Sequence, residues 1–197
     1  MYPFIKKLPF LALCLAFSAC SLEDLISSDE PAAGEEGVNY VIESGDHETT
    51  NPLRTLKQSK LVFEVKFDST AIYKTKNPTN QADINKLYGM SDCGSFHHTN
   101  SARFGWRWYK DRLELMAYSY ADGKNTSTFI TAIDLNKWYS CELSLSDSKY
   151  TFKVDGKKAV EHSRSCTGEG NGYQLYPYFG GDETAPHKIN IKIKEKK

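Results

Sequence analysis

The stretch ARFGWRWYKDRLELMAYSY, residues 102–120, decides the fold. Apolar and polar side chains alternate along it with the period of two that is typical of a half-buried strand, and a Lys-Asp pair in the middle offers a turn. That turn pairs Trp106 with Leu115 on an apolar face and Arg107 with Glu114 on a polar face. Both faces support this register, because a slip of one residue would exchange them. The stretch therefore predicts a β-hairpin with one buried face.

Further runs with the same alternation fill residues 59–197, which we interpret as one domain. They lie at residues 61–67, 139–145, 150–154 and 189–193. No window has the 3.6-residue period of an amphipathic helix. Many short strands separated by turns are typical of sandwiches and jelly rolls, so we expect an all-β fold, an antiparallel β-sandwich.

One segment of this domain resembles a known family. Leu-Asn-Lys-Trp-Tyr at 135–139 leads into a strand, a turn follows at 146–148, and Tyr-Thr-Phe-Lys-Val-Asp-Gly-Lys occupies 150–157. This order resembles concanavalin A-like jelly rolls, a group that includes laminin-G-like domains, carbohydrate-binding modules and several polysaccharide lyases. The resemblance implies a jelly-roll sandwich and leaves the function open, because this fold hosts many activities.

Residues 1–19 have the features of an export signal. Lys6 and Lys7 precede an apolar stretch, residues 8–17, that is too short to span a bilayer as a helix. Phe-Ser-Ala-Cys at 17–20 then resembles a bacterial lipobox, which implies cleavage before Cys20 and lipidation of its thiol. The alternative is an ordinary signal peptide cut after Ala19.

Residues 20–58 predict an acidic, flexible tether between the lipidated Cys20 and the domain. Its first residues, Ser-Leu-Glu-Asp at 21–24, resemble the surface-export signal of Bacteroidota lipoproteins. The resemblance implies a lipid-anchored protein of the outer membrane, exposed at the cell surface. A plain polar linker is the alternative, and residues 38–42 could form a strand that pairs with the domain edge.

Charge excludes one class of partner. The chain has 25 Lys and Arg against 25 Asp and Glu, with a pI near 6.9, so it lacks the basic footprint of a nucleic-acid binder. Removing the leader and the acidic tether leaves a mildly basic domain. An acidic glycan therefore stays compatible with the composition.

Two rows of side chains predict a ligand-binding surface. The polar face of the hairpin carries Arg103, Arg107, Tyr118 and Tyr120, and the alternation near residue 175 gives a second row of Gln174, Tyr176 and Tyr178. Tyrosine rings stack on sugar rings and arginines bind acid groups. The alternative is a solvated sheet face held by salt bridges.

The loop that contains His97 and His98 carries the candidate catalytic groups. Histidine can act as a general base, but the spacing of the histidines does not support zinc. Some polysaccharide lyases of this fold use a His or Tyr base with an Arg or Gln that neutralises the acid, and the types are present in His97, His98, Tyr176, Arg103 and Gln174. Their characteristic Arg-x-Glu-x-Arg and Gln-Ile-His strands are absent.

Cysteines and one acidic loop complete the predictions. Cys93 and Cys166 lie in Gly- and Ser-rich loops, so we expect a disulfide between them and a buried thiol at Cys141, which lies on an apolar strand face. Asp182 and Glu183 could hold Ca²⁺ with nearby carbonyls. The alternative for this loop is a turn with solvated charges.

Three functions follow from these observations. The first is binding of an extracellular ligand, a glycan, without catalysis, by a surface-anchored sandwich. The second is cleavage of a glycan by a lyase-like site in the histidine loop, which a domain of this length favours less. The third is a structural role in which the partner is another envelope protein.

Overall fold

Strands make up most of the computed structural model, which describes residues 37–157 and 159–196. They are β1 Val38–Ile42, β2 Thr55–Lys57, β3 Lys60–Phe67, β4 Asn85–Ser91, β5 Ser101–Tyr109, β6 Arg112–Ala121, β7 Lys124–Ile133, β8 Tyr139–Ser146, β9 Lys149–Val154, β10 Val160–Ser163, β11 Asn171–Leu175 and β12 Ile189–Lys196. Two 3-10 turns, Ser69–Ala71 and Pro78–Ala82, interrupt the run from β3 to β4. Within these ranges no helix is long and apolar enough to cross a membrane.

The strands form two antiparallel sheets. The first sheet has the order β1-β12-β3-β8-β9-β10, and the second has the order β2-β11-β4-β5-β6-β7. The apolar side chains of both sheets meet in one core. The predicted all-β antiparallel sandwich is therefore confirmed.

The hairpin of β5 and β6 has the predicted register. Trp106 pairs with Leu115, and Arg107 pairs with Glu114. The turn places Lys110 and Asp111 at φ of 52° and 56°, in the left-handed region. Two successive left-handed residues are typical of the tight hairpin turns whose twist matches that of the strands.

Aromatic side chains fill the core between the sheets. Phe63 of the first sheet contacts Phe104 of the second edge to face, with 5.5 Å between ring centroids. Trp106 is fully buried and packs against Phe67 at 5.1 Å. Burial of each such side chain contributes about 1.5–3 kcal/mol, so the apolar face of the hairpin holds the two sheets together.

The sandwich begins before the boundary predicted at residue 59. β1 pairs with β12, as the strand prediction for residues 38–42 suggested, and β2 pairs with β11. Between them, Arg54 donates two hydrogen bonds of 2.7 and 2.8 Å to Glu195. The polar composition of this segment concealed these pairings, because β1 and β2 lie at sheet edges and bury few side chains. The predicted leader, Cys20 and the start of the tether lie outside the described residues.

Candidate functional site

A concave cleft of about 500 Å³ opens on the second sheet. It lies on the face turned away from the core, since Arg103 and Tyr118 alternate with the buried Phe104 and Ala117. Eight residues singled out in the sequence line this cleft: His97, His98, Arg103, Tyr118, Tyr120, Gln174, Tyr176 and Tyr178. The fold therefore brings the histidine loop, the hairpin and the segment around residue 175 to one place.

Arg103 lies at the base of the cleft and is 6% exposed. Its Nε has no hydrogen-bond partner, and no carboxylate in the described residues forms an ion pair with it. Its guanidinium carbon lies 5.6 Å from the ring centroid of Tyr118, the residue opposite it on β6. Burial lowers the pKa of Arg103 to about 10, so it still carries its charge at neutral pH.

Lys86 is a second cation in the cleft, and the sequence alone did not single it out. Its Nζ donates to the carbonyl oxygen of Gly180 at 2.6 Å and lies 5.4 and 5.8 Å from the rings of Tyr118 and Tyr178. Burial, together with the nearby charge of Arg103, lowers the pKa of Lys86 to about 8. The cleft therefore holds two cations that contact tyrosine rings and form no ion pair among the described residues.

The histidine loop forms one wall. The Tyr173 hydroxyl accepts a hydrogen bond from the backbone N–H of His97 at 3.1 Å and lies 2.9 Å from its ring Nδ1. The ring of His98 contacts His97 at 4.2 Å and Tyr120 at 5.4 Å. Burial, then the charges of Arg103 and His98, lowers the pKa of His97 to about 4, so His97 is neutral near pH 7.

A disulfide fixes this loop to its neighbour. Cys93 and Cys166 are bonded, which confirms the predicted pair, and Cys141 is a free, buried thiol. Next to the bond, the fully buried Asp92 accepts hydrogen bonds from Arg164, from Tyr150 and from the backbone N–H of Asn171. The base of the histidine loop is therefore held by a covalent bond and by a satisfied ion pair.

The predicted row of Gln174, Tyr176 and Tyr178 is not a regular strand face. β11 ends at Leu175, and the three side chains have different surroundings. Gln174 is buried, donates to the carbonyl oxygens of Gly89 and Leu175, and has an Oε1 without a partner. Tyr176 packs against the core through Tyr40 and Tyr88, whereas Tyr178 stacks on His47 at 5.1 Å. Tyr173, expected on the opposite face, is the residue that contacts His97.

Arg107 lies outside the cleft. Its Nε donates to Glu114 at 2.8 Å and its Nη1 donates to the carbonyl oxygen of Ala82 at 2.7 Å. The carboxylate of Glu114 is 1% exposed and also accepts a hydrogen bond from Nε of Arg112. Arg107 thus has the structural role that the alternative interpretation of this face described, while Arg103 lacks an acidic partner.

Among the described residues, Asp182 and Glu183 do not gather with a third His, Cys, Asp or Glu side chain that could hold a metal ion. Glu183 accepts hydrogen bonds from the backbone N–H groups of Lys76 and Asn77 and from the side chain of Asn80. The bond from Asn77, followed by the others, lowers the pKa of Glu183. The carboxylate of Glu183 therefore connects its own loop to residues 76–80. The group of possible metal ligands that the described residues do contain is Asp92 with Cys93 and Cys166. Its two sulfur atoms form the disulfide, and its carboxylate pairs with Arg164.

Comparison with known proteins supports the fold. No protein-family model and no curated protein matches the chain. Alginate lyase AlyC3 is 15% identical over 82% of this chain and 75% of its own length, with a TM-score of 0.52. The alginate lyase from Klebsiella pneumoniae is 10% identical over 70% of this chain and 58% of its own length, with a TM-score of 0.50. The carbohydrate-binding module CBM66 from Bacillus subtilis is 10% identical over 81% of this chain and 94% of its own length, with a TM-score of 0.36. At these identities the similarity to the two alginate lyases shows the fold alone, an antiparallel jelly-roll sandwich.

Proposed function

We propose that the chain binds an acidic glycan in the cleft, with Arg103 holding an acid group of the sugar. The observation that carries this proposal is the buried guanidinium without an acidic partner. Burying a charge costs several kcal/mol unless it is paired. A carboxylate or sulfate from a ligand would supply the missing partner and would accept the free Nε–H.

The walls of the cleft suit a sugar. Tyr118, Tyr120 and Tyr178 offer ring faces and hydroxyl groups, and Lys86 offers a second positive charge. Sugar rings stack on aromatic faces, and their hydroxyl groups bond to polar side chains. A volume of about 500 Å³ lies within the usual range for ligand sites. The cleft therefore fits a segment of a polymer with repeated acid groups better than it fits a single ion.

We also propose that this binding takes place at the surface of the outer membrane. The support is the sequence of residues 17–20, which resembles a lipobox and predicts a lipid on Cys20. Acyl chains on one cysteine can hold a soluble domain at a membrane without a spanning helix. Palmitate labelling of cells that express the chain, with Cys20→Ala as the control, tests the anchor.

The binding proposal is tested by titration calorimetry with uronic-acid oligosaccharides, starting with alginate because structures of similar fold include alginate lyases. Wild type should bind, and Arg103→Gln should bind at least about tenfold more weakly, as expected when a charged hydrogen bond is lost. Arg112→Gln is the matched control, since Arg112 lies on the same hairpin outside the cleft. Equal binding by wild type and Arg103→Gln would refute the proposal. Failure to bind any acidic glycan would favour a protein partner.

A second function, cleavage of the bound glycan by β-elimination, is favoured by the contact between His97 and Tyr173. In that reaction a base removes the proton from C5 of a uronate, the C4–C5 double bond forms, and the C4–O bond breaks with a proton passing to the leaving oxygen. His97 is neutral and can accept a proton. An acid group bound to Arg103 would neutralise the charge that lowers the pKa of His97, which makes His97 a stronger base when the ligand is bound.

Hydrolysis by a pair of carboxylates has less support, because Glu48 is the one acid among the described residues that line the cleft. The ultraviolet absorbance of the unsaturated product distinguishes the two proposals. Product that appears with wild type and is lost in His97→Ala, while binding remains, would establish elimination. Binding without unsaturated product would refute elimination.

A further inference from the structure

The outer face of the first sheet is strongly basic. Its lysines alternate with the buried residues of β3 and β12, for example Lys194 with Ile193, so they point away from the core and from the cleft. This basic face consists of Lys60, Lys66, Lys153, Lys192, Lys194 and Lys196. The acids on this face are Glu64, Glu142 and Glu161, and Glu161 pairs with a further lysine of the face, Lys149. The face therefore has an excess of positive charge.

The ion pairs leave two of these lysines without an acid. Glu142 lies within ion-pair distance of Lys60 and Lys153, and Glu64 pairs with Lys196. Among the described residues, Lys66 and Lys194 have no such partner. Both ammonium groups instead approach the ring of Trp138.

The distances to the half-buried Trp138 are 4.8 Å from Nζ of Lys66 and 4.3 Å from Nζ of Lys194. Each contact is worth about 0.5–1 kcal/mol at an exposed site. Two like charges that share one ring also repel each other. Glu64 lies opposite Lys194 but forms its ion pair with Lys196, so an anionic partner would relieve this repulsion.

We propose that the basic face docks on the anionic headgroups of a lipid bilayer, with Trp138 at the interface. The charge is spread over a sheet surface and not gathered in a cleft, which suits a planar array of phosphates. Lysines beside an anionic leaflet and tryptophans at the headgroup level are favourable positions for these side chains. The paired arrangement of Lys66, Trp138 and Lys194 provides both.

The order of the chain agrees with a domain whose basic face lies on the membrane. Residues 1–36 precede β1, which is the edge strand of the same sheet, and their sequence predicts a lipid on Cys20. The cleft lies on the outer face of the other sheet, so a domain that rests on its basic face presents the cleft away from the membrane. The inference goes beyond glycan binding and does not depend on it.

Sedimentation with vesicles tests the proposal. The full chain is mixed with vesicles of phosphatidylcholine alone and with vesicles that contain about one-third phosphatidylglycerol, at low and at physiological salt. The leader is present in every variant, so comparison between variants isolates the domain. We expect Lys66→Gln/Lys194→Gln to reduce partitioning into the anionic vesicles at least about tenfold. The matched control, Lys110→Gln/Lys124→Gln, removes the same charge from the turns of the second sheet and should change it less than about twofold.

Quenching of tryptophan by brominated lipid gives a second readout. Trp106 is buried in the core, and the half-buried Trp108 lies at the end of β5 in the other sheet. Quenching in anionic vesicles should therefore be lost in Trp138→Phe and kept in Trp108→Phe. Equal partitioning into both vesicle types would overturn the proposal, and so would equal weakening by the two double variants. The proposal would also be overturned if Lys66→Gln/Lys194→Gln lost binding to a soluble acidic polysaccharide while its vesicle binding stayed unchanged. That result would assign the basic face to a glycan.

Discussion

Arg103 and Tyr118 face each other across β5 and β6, with the guanidinium carbon 5.6 Å from the Tyr118 ring centroid. A cation–π contact of this kind contributes about 0.5–2 kcal/mol, whereas desolvation of a buried ion costs several kcal/mol. The ring therefore offsets only part of the cost of burying Arg103. The remaining desolvation cost destabilises the free protein, and an anionic ligand that pairs with Arg103 would remove it.

Replacement of Arg103 by methionine should separate stability from binding. Methionine has a similar length and no charge, so Arg103→Met should leave the free energy of unfolding unchanged or raise it by about 1–2 kcal/mol. The same variant should bind acidic oligosaccharides at least about tenfold more weakly. Chemical denaturation and calorimetry measure the two effects. A large loss of stability would show that Arg103 has a structural partner and would weaken the binding proposal.

The charge of Lys86 should make binding depend on pH. Burial lowers its pKa to about 8, so a rise in pH through that value removes its positive charge from the cleft. Affinity for an acidic glycan should therefore fall between about pH 7 and pH 9 in wild type. Lys86→Gln should bind more weakly at pH 7 and lose this dependence. His97, whose pKa is about 4, should not titrate in that window, and a wild-type affinity independent of pH would contradict the prediction.

The ion pair of Asp92 and Arg164 should be a major source of stability. Both side chains are fully buried, and Nε of Arg164 lies 2.6 Å from Asp92. Removing one partner of such a pair costs about 3–5 kcal/mol, because the other charge stays buried. We expect this loss for Arg164→Met at pH 7 in urea denaturation. Arg112→Met removes a half-exposed arginine and leaves the buried Glu114 paired with Arg107, so it should cost about 1 kcal/mol or less.

The same pair predicts the acid limb of stability. Burial opposes ionisation of Asp92, but the hydrogen bonds from Arg164 and from two backbone N–H groups outweigh it and lower the pKa. A carboxyl whose pKa is lowered by folding stabilises the protein above its ordinary pKa, about 3.9, and loses that contribution as the pH falls through the lowered value. The difference in the free energy of unfolding between wild type and Arg164→Met should be largest at neutral pH. It should narrow as acid protonates Asp92, first in the variant, where burial without Arg164 favours the neutral acid.

Reduction of the disulfide should destabilise the sandwich. Cys93 and Cys166 are 73 residues apart, and closure of a loop of that length contributes about 4 kcal/mol in the entropic model. Cys93→Ser/Cys166→Ser should therefore lower the denaturation midpoint. Mass spectrometry of a non-reduced tryptic digest should show the two peptides linked. A linked peptide that contains Cys141 would contradict the assignment.

Much of the fold could be predicted because each alternating run has one buried face. The register of β5 and β6 is set by Trp106, Leu115 and their neighbours, since a slip would place them in solvent. Four strands escaped this logic, the short β2 and β10 and the longer β4 and β7. β4 carries a bulge between Lys86 and Gly89, and nearly all its residues are buried, so it does not alternate. β7 is an edge strand with mostly exposed side chains.

The candidate site could be predicted only in part. Residue types selected His97, Arg103 and Tyr118, which all line the cleft. Lys86 was missed because an isolated lysine in a sequence gives no sign of burial. Tyr173 was missed because the alternation placed it on the face opposite Gln174, and the end of β11 at Leu175 breaks the predicted row of Gln174, Tyr176 and Tyr178. A bulge and a strand end both change which side chains share a face, and neither has a signature in these residues.

The sequence alone predicted the all-β class, the hairpin register, the Cys93–Cys166 pair and the set of polar side chains available for binding. These features depend on local alternation and on residue chemistry, and both can be identified from the sequence. Only the tertiary structure decided that Arg107 is neutralised by Glu114 while Arg103 is not, and that Lys86 and Tyr173 join the cleft. The reason is physical, because pairing and burial depend on distances between strands that are far apart in the sequence.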